Sequence, residues 1–366
     1  MKIFEIIPQL EQGGAERFVV DLCNELVKRH DVTLVVLHNL GKYGLFARDV
    51  DKRVRIICLD KRLGFDWRLM FKLRKLIKKE EPDIVHTHLR SIVYASLSAL
   101  TLPKVKFFHT IHNDAQKEAA EFISRWCRKI AFGLKKVVPI TISEESKRSF
   151  TEFYKLESEL IVNGRPDYKI PRGENLSKVR TELQIKNGKT VIVNIARLHL
   201  AKNQPTLVRA IDNLNNKGYD LKLFIIGDTH EKTIREEIMS IGSRNMHLLG
   251  TKMNPRDYMA EADAFCLSSI YEGMPITLIE CFSVGAIPIC TPVGGIVNMI
   301  QDGKNGILAS GTSQKDIEDA IIRFLQMSET EKQEMKKRSR ESFKDYDMQT
   351  CGERYERLFY KSIERK

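Results

Sequence analysis

Short apolar runs alternate with amphipathic stretches along nearly the whole chain. In the first half KIFEIIPQL, DVTLVVLHN, VRIICLD, DIVHTH, VKFFHTIH, VVPITIS and ELIVNG read as strands, with helical periodicity between most of them, as over residues 14–29 and 68–79. Near-continuous apolar strands separated by helices predict a parallel sheet covered on both faces. The pattern breaks from Gly164 to Glu174, where two prolines and no apolar period read as a linker. A second set follows: TVIVNIA, LKLFIIGD, HLLG, AFCLSS, AIPICT and GILAS, with helices expected near 204–217, 231–242, 255–261, 275–284, 294–301 and 314–327. Residues 331–366 are charged and helical without a further strand. Two doubly wound, Rossmann-like α/β domains are the simplest architecture: residues 1–164 and 165–344, with a last helix, about 345–366, packing back on the first. No solenoid repeat or low-complexity segment is present.

A length of 366 residues fits two domains. No segment approaches eighteen consecutive apolar residues, so no transmembrane helix is expected. The opening MKIFEIIPQL is too short an apolar run for a signal peptide and reads as the first strand. Seven scattered cysteines with no C-x-x-C pair imply reduced, mostly buried thiols in a cytoplasmic protein, not disulfides or structural zinc.

The net charge of +12 is uneven: residues 1–164 hold 29 Lys and Arg against 21 Asp and Glu, which is +8 of it. Residues 61–79 carry eight cations against Asp66 alone, and residues 122–136 carry five and no acid. Both interleave cations with apolar residues, Trp67, Met70 and Phe71 in one and Phe122, Trp126 and Phe132 in the other. Basic amphipathic helices suit an anionic membrane surface, here the inner face of a cell membrane. The alternative is a helix with its apolar face in the core and a solvated basic face. The aromatics form no stacking platform, and no nucleic-acid-binding fold is apparent.

Several short motifs could carry chemistry. Gly13-Gly14 follows the first strand and opens a helix, permitting a tight turn and close backbone approach to a ligand. GxGxxG and a Walker A loop are absent. Arg197 ends the strand TVIVNIA and Lys202 follows five residues later, outside a strand's carboxyl end, where open α/β sheets bind ligands. A planar fork and a point charge suit a diphosphate. Asn203 is placed to cap the next helix, with Pro205 in its first turn.

In the run Tyr271-Glu272-Gly273-Met274-Pro275-Ile276, Pro275 can occupy the first helical turn. Gly273, Met274 and Ile276 then offer backbone N–H groups to an anion. Glu280 lies roughly 7 Å further along the axis, where its carboxylate can take ribose hydroxyls. Glu272, in the preceding loop, can meet sugar hydroxyls.

His86, His88, His109 and His112 lie at the ends of two predicted strands. No carboxylate or cysteine is positioned by the sequence to complete a metal site with them. His112, followed by Asn113-Asp114, is the best placed of the four to face a cleft. D-x-D occurs at Asp49–Asp51 and Asp345–Asp347, once in a turn and once in a charged helical region, and both look incidental.

Taken in order, GGAER at 13–17, ARLHLAKN at 196–203 and EGMPITLIE at 272–280 resemble the retaining glycosyltransferases of family four, which have the GT-B fold. DIVHTH (83–88), TIHN (110–113), IVNGRPD (161–167), HLLG (247–250), PVGGI (292–296) and DGKNGIL (302–308) extend the resemblance over nearly the whole chain. It implies two Rossmann-like domains facing a cleft, the second binding a nucleoside diphosphate sugar and the first presenting the acceptor. Glu280 would bind the ribose, Glu272 and His112 the donor sugar, and Arg197 and Lys202 the diphosphate, assisted by amides near Gly14 and Met274. The donor site would draw on Gly13, Gly14, Leu249, Gly273, Met274, Pro275 and Ile276 as well. Metal and cofactor are not expected. A saccharide acceptor, lipid-linked in view of the basic helices, and a role in bacterial surface polysaccharide assembly follow by analogy, with a uridine donor preferred.

Two positions depart from the family pattern: Thr229 stands where Gly-Asp-Gly is commoner, and Ala196 where glycine usually precedes the arginine. Two rival readings are an NAD-dependent oxidoreductase, which would need the absent GxGxxG, and a non-catalytic nucleotide-sugar-binding scaffold.

Overall fold

In the computed structural model the apolar runs become two separate, wholly parallel sheets. The structure describes all residues except 12, 40, 42, 63, 120, 171–173, 186–187, 229–231 and 365–366, and the backbone alone at 174, 175 and 232. Thr229 and residues 171–173 of the expected linker thus lie outside the described residues.

Contacts divide the chain into two units, one of residues 1–166 with 346–366 and one of residues 167–345. Unit 1 holds β1 (Lys2–Ile7), β2 (Asp31–Val36), β3 (Arg55–Cys58), β4 (Ile84–His88), β5 (Lys106–Ile111), β6 (Val137–Thr141) and β7 (Glu159–Leu160), in the order β3-β2-β1-β4-β5-β6-β7. Its helices are α1 (Gly14–Leu26), α2 (Trp67–Glu80), α3 (Ser91–Thr101), α4 (Ala115–Glu118), α5 (Phe122–Gly133) and α6 (Glu144–Tyr154). Strands such as β1 and β5 are buried along nearly their whole length, as a sheet covered on both faces requires. Phe4, Ile6, Leu73, Phe107 and Phe150 belong to its core.

Unit 2 holds β8 (Thr190–Ile195), β9 (Leu221–Ile226), β10 (Met246–Gly250), β11 (Ala264–Leu267), β12 (Pro288–Cys290) and β13 (Ile307–Leu308), in the order β10-β9-β8-β11-β12-β13. Its helices are α7 (Glu174–Glu182), α8 (Gln204–Asn216), α9 (Lys232–Ser240), α10 (Pro255–Glu261), α11 (Ile276–Val284), α12 (Ile296–Met299), α13 (Gln314–Leu325) and α14 (Glu329–Ser342). Capping boxes start α13 at Ser313 and α14 at Ser328. Ile192, Leu207, Ile211, Leu223 and Phe324 belong to the core.

The chain then completes unit 1 with α15 (Met348–Glu364), which packs against α1. Arg165, inside the stretch read as a linker, is buried here. Its N–H donates to the Tyr346 carbonyl at 2.9 Å and its guanidinium pairs with Asp21.

In both sheets the winding reverses once: β1 lies between β2 and β4, and β8 between β9 and β11. Loops leaving the two strands on either side of such a reversal diverge and open a crevice at the carboxyl ends.

Candidate functional site

At the unit 2 reversal hydrogen bonds tie the loops after β8 and β11 to each other. After β8 the chain runs through Arg197 to a 3-10 turn over Leu200–Lys202, and after β11 through Ser268 to Pro275. The Ile270 N–H donates to the Ala201 carbonyl at 2.9 Å, and the Ser268 hydroxyl to the Lys202 carbonyl at 2.9 Å. These bonds set the Lys202 ammonium 2.6 Å from Glu272 Oε1, with side-chain exposures of 25% and 8%. Ser269 Oγ donates to the same Oε1 at 2.6 Å. Among the described residues no hydrogen bond ends on Glu272 Oε2, which leaves it as an acceptor. Arg197 is exposed, and among the described residues its guanidinium has no hydrogen-bond or ion-pair partner. The Gln204 amide donates to the Arg197 carbonyl at 3.0 Å and fixes the loop beneath it.

Pro275 is the residue before α11, with φ −71° and ψ 117°, and not within its first turn; the helix opens at Ile276. The start of α11 is therefore one residue later than its proline implied, because Pro275 keeps extended ψ. Met274 and Glu280 are buried, and Glu280 is the fifth residue of the helix. Close backbone approach comes from glycines elsewhere. A Cβ on Gly294, at φ +53°, would stand 1.8 Å from the Glu272 carbonyl oxygen, and one on Gly295 2.4 Å from that of Gly273. Asn203 occupies the cap position of α8, but in the left-handed region at φ 55° and without a side-chain bond to the helix N–H groups; its Oδ1 accepts from Thr206 Oγ1 at 2.6 Å. Leu249 sits at a register irregularity between Leu248 and Gly250, where β10 pairs with β9.

In unit 1 Gly13 caps α1 and Gly14 opens it. Gly13 is extended, and a Cβ there would meet only the movable Glu16 carboxylate.

The histidines also differ from expectation. A carboxylate companion exists: Glu5 of β1 lies 3.0 Å from His86 Nδ1 and 2.8 Å from His88 Nε2, all three fully buried. Their ligand atoms are close enough together to hold an ion. His112, read as the strand-end histidine best placed to face a cleft, is buried against His88, its Nε2 3.0 Å from His88 Nδ1, and against the Phe18 ring. Burial pushes its imidazole down to about 4. His109 points to the opposite sheet face, toward Thr87 and Arg128. Burial and the Arg128 charge push it down to about 3. Arg128, counted among surface cations in the sequence, is fully buried 2.9 Å from Glu118. Burial raises the Glu118 carboxyl, but Arg128 and the His109 hydrogen bond overcome this and hold it well below the carboxylate range.

α5 exposes Phe122 (74%), Ile123, Trp126 (53%) and Ile130 while burying Ser124, Arg128, Ala131 and Phe132, the last two in the core. α2 buries Leu69, Leu73 and Ile77 but exposes Trp67 and Phe71, each at 57%. Among the described residues no helix is long and apolar enough to cross a membrane. Asp49 pairs with Arg17 and Asp51 with Arg53, and Asp347 accepts from N–H groups at the start of α15, which accounts for the first D-x-D pair and for Asp347 of the second as local structure. All seven cysteines are free, five of them buried.

Residues 12–165 match the family described as Glycosyltransferase Family 4, and residues 177–342 match Glycosyl transferases group 1. A Campylobacter jejuni enzyme named GalNAc-alpha-(1->4)-GalNAc-alpha-(1->3)-diNAcBac-PP-undecaprenol alpha-1,4-N-acetyl-D-galactosaminyltransferase is 24% identical over 98% of each chain. An Escherichia coli UDP-Gal:alpha-D-GlcNAc-diphosphoundecaprenol alpha-1,3-galactosyltransferase is 25% identical over 74% of this chain and 73% of its own. Among solved structures, Anabaena HepE in complex with UDP-glucose superposes with a TM-score of 0.83 at 17% identity, covering 99% of this chain and all of its own. A Rickettsia africae glycosyltransferase does so at 0.82 and 18% identity, covering 100% and 99%. The fold is the GT-B fold of these enzymes. With one family description over unit 1 and the other over most of unit 2, the chain belongs to the family 4 glycosyltransferases.

Proposed function

We propose that the protein is a retaining, metal-independent hexosyltransferase that moves a sugar from a UDP-sugar to a lipid-linked saccharide in bacterial glycan assembly. The observation that carries this reading is the meeting of Lys202 and Glu272 at the unit 2 reversal, 2.6 Å apart, with the exposed Arg197 in the same loop as Lys202. Arg197 and Lys202 hold the diphosphate and stabilise the charge that develops on it as the glycosidic bond breaks. Amides at the start of α11, from Gly273, Met274 and Ile276 beyond Pro275, assist them. Glu280 takes the ribose hydroxyls. Glu272, held at Oε1 by Lys202 and Ser269, offers Oε2 to a donor-sugar hydroxyl. Leu249 belongs to the donor site. Attack is from the front side, with the leaving phosphate accepting the proton of the acceptor hydroxyl; a glycosyl ester trapped on Glu272 would overturn this.

The exposed apolar residues of α2 and α5, with their cations, seat unit 1 on an anionic membrane surface at the cytoplasmic face. The substrate names of the Campylobacter and Escherichia relatives support a polyprenyl-diphosphate-linked acceptor.

The test is a ligand-stabilisation panel of uridine, guanosine and adenosine diphosphate sugars, followed by transfer to a polyprenyl-diphosphate saccharide. Selective stabilisation by uridine donors is expected. Stabilisation without transfer or donor hydrolysis on any acceptor would favour a binding scaffold and overturn the enzyme reading.

A further inference from the structure

α5 has an apolar stripe on its outer side as well as an inner one. Phe122, Ile123, Trp126 and Ile130 are exposed, and Ser124, Arg128, Ala131 and Phe132 are buried on the other side. At about 100° per residue, Arg128 stands roughly 200° round the helix from Trp126, almost diametrically opposite. α3 packs against both α5 and α2. Phe65, just before α2, stacks on Tyr94 of α3 with ring centroids 6.0 Å apart, and the exposed rings of Trp67 and Phe71 meet edge to face. Arg90 ties the start of α3 to Glu121, ahead of α5, at 2.7 Å. α2 and α5 each end a few residues before the next strand, so their opening turns, which carry these aromatics, stand at the carboxyl end of the sheet.

An exposed apolar stripe on a packed helix calls for a cover. Its surroundings fit an anionic bilayer. Residues 122–136 hold five cations and no acid, and with Arg128 turned inward Lys129, Lys135 and Lys136 remain exposed. A second copy of the chain, facing the first through the same patch, would set like charges against each other. Aromatics flanked by cations suit the headgroup level of a membrane.

The inner side of the same helix holds the rim of the sheet. Arg128 donates to the Leu89 carbonyl at 2.9 Å, to His109 Nε2 at 2.8 Å and to Glu118 Oε1 at 2.9 Å. Leu89, which follows β4, keeps a left-handed backbone at φ 54°, a costly conformation for a residue other than glycine. Glu118 Oε2 accepts from the N–H groups of His112 at 2.8 Å and Asn113 at 3.3 Å, just past β5. One side chain thus joins the outward stripe to the loops leaving two strands, at the end of the sheet where α/β folds bind ligands.

We propose that an anionic bilayer covers the outer face of α5, and that Arg128 and Glu118 are positioning residues that pass this seating to the loops after β4 and β5. This rests on the membrane seating of unit 1 in the proposed function and adds a regulation to it: the surface that holds a lipid-linked acceptor also orders the rim of the sheet. A bilayer does so by favouring one placement of α5 over others.

The chain has two tryptophans, Trp67 and Trp126, and both belong to this surface. Their fluorescence reports contact with vesicles of phosphatidylglycerol and brominated phosphatidylcholine. Quenching is expected, and hydrogen exchange at His112, Asn113 and residues 88–91 should slow about tenfold as the vesicles bind. Arg128→Lys keeps the charge but loses the planar fork. It should bind the vesicles as the wild type does, while its loops no longer respond. Phe122→Ser combined with Trp126→Ser should also lose the loop response, with melting temperature unchanged because both side chains are exposed. Quenching of the wild type without a change in exchange overturns the positioning role and leaves the membrane seating standing, even if Arg128→Lys does not fold. Absence of quenching overturns both. So does a dimer on sedimentation whose tryptophans are shielded from iodide, since a second copy would then be the cover.

Discussion

The two sheets wind alike around their reversals but place polar groups there in opposite ways. In unit 1 the strands themselves carry them: Glu5, His86, His88 and His109 are fully buried, and the buried Arg128–Glu118 pair lies next to them. In unit 2 the strands flanking the reversal are almost wholly apolar, TVIVNI and AFCL. Polarity there begins in the loops, with Arg197, Lys202, Ser269 and Glu272. Groups inside a sheet are fixed in protonation and tautomer by burial, and losing one strands its partner. At the rim Arg197 is exposed and Lys202 partly so, while Ser269 and Glu272 are buried; losing either cation alters chemistry more than folding.

The largest effect separating the two should come from Arg128→Met. It leaves Glu118 buried and unpaired, a cost of about 3–5 kcal/mol. Arg209→Met, which breaks an exposed pair with Glu237 in unit 2, should cost less than about 1 kcal/mol. Equal shifts in denaturation midpoint would erase the contrast. Next come Arg197→Ala and Lys202→Ala. Each should lower turnover about a hundred- to a thousandfold, roughly 3–4 kcal/mol in barrier, with melting temperature nearly unchanged; near-normal turnover in either purified variant contradicts the diphosphate role. Gly294→Ala is expected to cost about 1–3 kcal/mol, since it combines a left-handed backbone with a Cβ against the Glu272 carbonyl. Its donor affinity, read by calorimetry, should fall as well.

A smaller and graded effect should follow pH. Folded His112 titrates near 4 and His109 near 3 against an ordinary 6.5, so the unfolded chain takes up protons first as pH falls. The stabilisation is complete above about pH 6.5 and is lost progressively toward about 3. Hydrogen exchange in β4 and β5 should therefore accelerate on acidification; protection independent of pH over this window would refute it. The smallest expected effect is at the membrane, about 1 kcal/mol per cation near an anionic surface. Binding to anionic vesicles should weaken with salt, and equal binding to neutral vesicles would remove the electrostatic part of the membrane reading.

This contrast also explains what could be read from the sequence. The strand–helix alternation and the loop positions of Lys202 and Glu272 are local signals, each visible at the end of an apolar run. Glu5 gave a local signal too, a lone acid inside KIFEII, but its partners stand 81 and 83 residues later. Only the adjacency of β1 and β4 joins them. Arg128 misled for the same reason: in a basic amphipathic stretch it looked solvated, and its partner Glu118 lies on a separate short helix. Pro275 was misplaced by one residue because a proline fixes φ and leaves ψ free.

α15 adds a consequence of a different kind. It completes unit 1 through tight contacts: a Cβ on Gly164 would fall 2.7 Å from that of Cys351, and one on Gly352 2.7 Å from Glu25. Yet residues 348–364 leave the ribosome after every strand of unit 2. During synthesis, which proceeds at roughly 5–20 residues per second, the unit begun first is thus the last to be finished. The β1–β7 sheet waits about ten seconds or more with the ground for Tyr355 and Phe359 uncovered, while unit 2 has all its strands in hand. For a nascent chain this interval is when holdase chaperones have their target, and substitutions that loosen α15 will show first as lost yield and only later as lost activity.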